Sequence, residues 1–127
     1  MRIFLVIPFL ITLATQAAVA ETIKVGDVYY CSMKAFADSL SENNWELKKY
    51  KLEQFKFKVE EEQVVFGAGG YFTDLKKPIS FIGGELLEAR SSYSLFVLDT
   101  ESQPHTFSYG MITYSSAMLT TGTCDKF

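Results

Sequence analysis

Few residues in this chain are equipped for covalent or proton chemistry. Cys31 and Cys124 are its only cysteines and His105 its only histidine. Neutral imidazole supplies a basic nitrogen, but no Cys, His, Asp or Glu stands near His105 at metal-ligand spacing. Placed directly after Pro104, His105 reads as a turn-capping or partly exposed residue. Asp99, Glu101 and Ser108 are its polar neighbours, and no nucleophile-elbow pattern surrounds Ser91, Ser92, Ser94 or Ser108. The Glu60-Glu61-Glu62 run lacks the alternating ligands and the glycine of a calcium loop, and reads as a solvated turn. Gly67-Ala68-Gly69-Gly70 has neither the spacing nor the Lys-Ser/Thr ending of a phosphate loop, and reads as a tight turn or bulge. The expectation is a protein that is not an enzyme, with no catalytic residue, no metal and no cofactor.

The two cysteines are too far apart in sequence for a local redox dithiol. In an oxidising compartment, one disulfide between Cys31 and Cys124 would tie the two ends of the exported chain together. Two reduced core cysteines, or pairing with another chain, are the alternatives.

The N-terminus points to that compartment. Arg2 precedes an apolar run from Ile3 to Ile11, and Ala18-Val19-Ala20 provides small residues for a signal peptidase. Residues 1–20 therefore read as a cleaved signal peptide, leaving a single β-rich domain over 21–127 in the periplasm or outside the cell. The competing reading is an uncleaved anchor at the lower length limit for a membrane span, weakened by Pro8. Membrane association is expected only if that segment is retained.

The formal net charge of −3 gives no attraction to nucleic-acid phosphates. Lys48, Lys49, Lys51, Lys56 and Lys58 form a basic series, but Glu46, Glu53 and Glu60–Glu62 flank it. A strand surface with a charged turn accounts for both, and no nucleic-acid partner is expected.

The elements that hold these residues read as strands. Phe55, Phe57 and Val59 alternate with Lys56 and Lys58, the pattern of a strand with one buried and one wet face. A parity change near Glu53-Gln54 separates them from Tyr50 and Leu52 and implies a bulge or short break. Other strands are expected at Val25–Cys31, Val64–Phe66, Leu86–Arg90, Tyr93–Leu98, Thr106–Thr113 and Ala117–Cys124, with Gly83-Gly84 as a reversal. Met33, Phe36, Ala37 and Leu40 recur at helical spacing and predict one short helix. Asn43-Asn44 reads as a turn, with Trp45 anchoring the chain against the core. The fold class is mainly β: a small antiparallel barrel or strongly curved sandwich of seven to eight strands, with possibly one short helix.

Tyr29-Tyr30-Cys31 together with the terminal Cys124 resembles the organisation of the periplasmic C-type lysozyme-inhibitor family. That resemblance implies an export signal and a small antiparallel barrel, with a cysteine link involving the early Tyr-X-Cys region. The family's Ser-Gly-X-Arg/Lys-Tyr inhibitory sequence is absent: Ala89-Arg90-Ser91-Ser92-Tyr93 does not match it residue by residue.

The aromatic content keeps binding in view. Tyr29, Tyr30, Phe66, Tyr71, Phe72, Tyr93, Tyr109 and Tyr114 divide between core and surface, and Tyr71 and Phe72 beside the glycine turn are the expected partner-binding residues. The function expected is an exported, non-enzymatic binding module for a protein or a cell-envelope component. An apolar-ligand-binding barrel and a membrane-anchored structural accessory subunit are the alternatives.

Overall fold

The computed structural model describes residues 21–127, so the export-signal reading of residues 1–20 lies outside the described residues. Nine strands form: β1 (Val28–Leu40), β2 (Leu47–Lys49), β3 (Gln54–Val59), β4 (Gln63–Phe66), β5 (Lys76–Gly83), β6 (Leu86–Ser91), β7 (Ser94–Asp99), β8 (His105–Ile112) and β9 (Ser116–Lys126). From β3 onward each strand pairs antiparallel with the next, and β9 pairs with β1. The result is a closed eight-stranded barrel with β2 as an extra strand on β1. Closure leaves no long unpaired edge to template aggregation.

Alternation sorts the side chains. On β3, Phe55, Phe57 and Val59 are buried while Gln54, Lys56 and Lys58 face solvent. Tyr29, Phe57, Phe66, Phe96 and Phe107 are fully buried inside the barrel. The Phe96 ring lies 5.1 Å from Phe57 and 5.3 Å from Phe66, both edge-on, and 6.1 Å from Phe107 in a stacked arrangement. An eight-stranded barrel has an interior just wide enough for side chains, and these rings occupy it.

Two local expectations are corrected. No helix forms at residues 33–40, where β1 runs on for its full 13 residues. Its register shifts between Met33 and Ala35, and this bulge moves the inward face from Met33 to Phe36. The inserted residue turns a period of two into a step of three, which mimics a helical face. Trp45 does not anchor to the core. It follows Asn44 in left-handed backbone (φ 55° and 62°) and stays 57% exposed. The short break expected near Glu53-Gln54 does form: residues 50–53 interrupt the flank of β1 that β2 and β3 share. There the Tyr50 N–H donates to the Phe36 carbonyl (2.9 Å) and the Met33 N–H to the Glu53 carbonyl (3.0 Å).

Cys31 and Cys124 stand directly opposite each other in the β1–β9 register, with Cα atoms 4.0 Å apart, and form a buried disulfide. Such a bond is consistent with an oxidising, non-cytoplasmic compartment.

Gly122 lets β9 pass the β1 bulge. A Cβ here would run into the Ser32 carbonyl and lie 2.8 Å from a Phe107 ring carbon. Backbone cannot yield as a flexible side chain can. Gly122→Ala is therefore expected to lose about 2–3 kcal/mol in urea unfolding. An unchanged midpoint would show that the bulge can shift freely.

Candidate partner-binding surface

At one end of the barrel lie the glycine loop (residues 67–75), the β6–β7 turn at Ser92-Tyr93 and the β8–β9 connection at 113–115. Gly69 and Gly70 take positive φ (87° and 81°), and a Cβ on Gly70 would collide with the Gln54 carbonyl. That close approach folds the loop back over the mouth of the barrel. It separates the two aromatics expected to bind. Phe72 is only 2% exposed and packs edge-on against Phe55 and Tyr109, with both centroids 4.8 Å away. Phe72 is therefore a core residue, and its expected exposure is corrected. Tyr71 remains 43% exposed, caps Phe36 and donates its hydroxyl to Met118 Sδ at 3.3 Å.

Beneath this mouth, Lys77 is buried. Its Nζ donates to Ser91 Oγ (2.9 Å) and Ser94 Oγ (2.5 Å) and lies 5.4 Å from the Tyr109 ring centroid. Burial pushes its amine below the ordinary lysine range. Two hydroxyls and a ring face satisfy the ammonium without a carboxylate, so Lys77 reads as a structural cross-brace.

His105 is buried, which corrects its expected partial exposure. Its Nδ1 lies 3.0 Å from the Ser102 carbonyl, closing the β7–β8 loop as a cap would. Its neighbours are Glu21, Gln103 and the Tyr29 ring, and no serine hydroxyl lies within hydrogen-bonding distance of it among the described residues. Those residues also contain no group of three or more His, Cys, Asp or Glu able to hold a metal ion.

The outer wall carries the feature that sequence reasoning missed. Across β7, β8 and β9 the outward row runs Leu95, Gly110, Leu119. A Cβ on Gly110 would find nothing nearer than a backbone oxygen at 3.8 Å. The glycine is thus the open floor of a cleft of about 440 Å³, walled by Leu95, Leu119, Ile112 and Tyr93. No acidic residue lines it, and Arg90 is its one charged neighbour. Ile112 is 72% exposed and Leu119 55%. The Ile112 N–H donates to the Tyr93 carbonyl at 2.8 Å, carrying the β7–β8 ladder one step into the β6–β7 turn. Tyr114, the most exposed large apolar side chain, stands edge-on to Tyr93 with centroids 6.5 Å apart.

The signal was present in the sequence. On β8 and β9 the alternation fails at Met111-Ile112 and Met118-Leu119, where an apolar residue occupies the wet parity. The equivalent outward positions on β3 are Gln54, Lys56 and Lys58. A larger cleft of about 750 Å³ lies at the opposite end, beside Glu60, Glu61 and Glu62. Its walls mix the Glu60–Glu62 carboxylates and Lys58 with the aliphatic Val25 and Pro78 and present no aromatic side chain, so it is the poorer protein-docking surface.

The closed antiparallel barrel and its Cys31 link agree with the architecture implied by the lysozyme-inhibitor resemblance, while Ala89–Tyr93 lies on β6 and the following turn. No family model, curated protein or solved structure matches this chain.

Proposed function

We propose that this protein is a non-catalytic binding module, exported to the periplasm or the extracellular space, that docks a protein partner on the outer wall of β7–β9. The observation that carries the proposal is the exposed apolar cluster of Ile112, Leu119, Tyr93 and Tyr114 around the Gly110 floor. Contiguous apolar surface of this kind marks interaction sites on small proteins. Tyrosine side chains present large contact area at low conformational-entropy cost, and such residues dominate interface energetics. The aromatic-filled interior supports an external site over an enclosed apolar ligand.

Photo-crosslinking in the exporting cell tests the reading. A photoreactive side chain at Leu119 is expected to yield one protein adduct, whereas the same probe at Lys58 on the opposite wall yields none. No adduct from position 119, or the same adducts from both positions, would overturn it.

A further inference from the structure

Lys77 is saturated in hydrogen bonds but not in charge. On β6, Ser91 shares the inward parity of Leu87 and Ala89, and on β7, Ser94 shares that of Phe96 and Leu98. The two serines pair across the Ser92-Tyr93 turn, and β5 brings Lys77 within reach of both. The mouth of the barrel thus gathers one buried ammonium and two hydroxyls, of which Ser91 is exposed and Ser94 partly so. The ion pairs among the described residues, Glu21–His105 and Asp27–Lys126, lie at the far end of the barrel. Among those residues no carboxylate pairs with Lys77.

One hydrogen of the cluster is left over. The three N–H groups of Lys77 are taken by Ser91 Oγ, Ser94 Oγ and the Tyr109 ring face. The two Oγ atoms lie 2.6 Å apart, so one hydroxyl donates to the other. The hydroxyl that accepts has both lone pairs filled, one by Lys77 and one by its neighbour. Its own O–H remains, with no acceptor among the described residues. The cluster therefore offers a single donor, polarised by the ammonium behind it, and one uncompensated positive charge.

We infer that Lys77, Ser91 and Ser94 form a subsite for one carboxylate, entered from the mouth of the barrel. A carboxylate oxygen accepts the spare O–H, and its single negative charge offsets an ammonium that is costly to bury alone. A phosphate dianion brings a second charge and further acceptors for which the cluster has no donor. Ser91, Ser92 and Ser94 also line the cleft of about 440 Å³ that holds Leu95 and Ile112. Resting on the docking role proposed for that cleft, the partner segment carries a carboxylate beside the apolar group that enters it.

Titration of the isolated protein with acetate at constant ionic strength, followed by amide NMR, tests the subsite. Acetate is expected to shift the Ser91 and Ser94 N–H signals saturably, with a millimolar midpoint. Lys77→Met, which keeps an unbranched stem and removes the charge, is expected to weaken binding about tenfold or more. Arg90→Gln, on the exposed parity of β6, should leave the affinity within about twofold, because a rim charge contributes little. Phosphate should bind no more tightly than acetate. Shifts that never saturate, tighter binding of phosphate, or binding lost in Arg90→Gln would each overturn the proposal, whether or not Lys77→Met folds. Unweakened binding by a folded Lys77→Met would do the same. The titration needs no partner, so its outcome is separate from crosslinking at position 119. An adduct there without acetate binding removes the subsite and leaves the docking surface; acetate binding without an adduct removes the docking surface alone.

Discussion

Replacing Cys31 and Cys124 together with alanine is expected to destabilise the barrel by about 4–5 kcal/mol, the loop-entropy value for a closure of this length. The bond spans 93 residues of sequence and joins the two strands, β1 and β9, that close the barrel. Without it the unfolded chain regains the freedom of a nearly full-length loop, while the folded state loses only a short buried contact. A domain of this size has roughly 5–15 kcal/mol of stability to lose. The variant should therefore melt about 20 °C or more below the wild type. Urea titrations of the oxidised protein and the double variant measure the difference directly. A loss under about 1 kcal/mol would mean that pairing along β1 and β9 alone holds the barrel shut.

The second large effect is in the core. Phe96→Ala is expected to lose about 3–5 kcal/mol, because the site combines full burial with rings on several sides. Phe57, Phe66, Phe72 and Phe107 all lie within 6.5 Å of its centroid, on strands and a loop that cannot all collapse into the vacancy. Truncating a solvent-facing side chain of similar hydrophobicity, Leu119→Ala, should change stability by less than about 0.5 kcal/mol. The pair separates residues that hold the fold from residues left over for function. Equal losses would mean that the outer wall is a packing surface.

Much of the fold was legible because period-two alternation survives in the sequence. Phe55, Phe57 and Val59 and, on β8, Phe107, Tyr109 and Met111 face inward as their spacing implies. Glu60–Glu62 and Gly83-Gly84 do fall at hairpin connections, and the disulfide joins the expected cysteines. What alternation could not convey was any place where the backbone leaves it. The bulge after Met33 disguised half of β1 as a helix. Left-handed backbone at Asn44 and Trp45 turned an aromatic outward. The reversal at Gly69-Gly70 carried Phe72 into the core and left Tyr71 half exposed. The candidate surface was legible only in part, through Ile112 and Leu119 at wet parity. Tyr93 and Tyr114 were visible as aromatics, but nothing local to them places Gly110 between Leu95 and Leu119. Only the register of three strands does that.

That register also supplies the most direct test of the binding account. Gly110→Val puts a side chain suited to extended backbone at a position where a Cβ would meet nothing nearer than a backbone oxygen at 3.8 Å. It should leave the melting temperature within a few degrees of wild type while filling the floor of the cleft. Retention of the partner crosslinked at position 119 is then to be measured for both proteins, side by side. The account predicts at least a tenfold drop in partner retained by the folded variant. Undiminished retention, with the barrel intact, would contradict it.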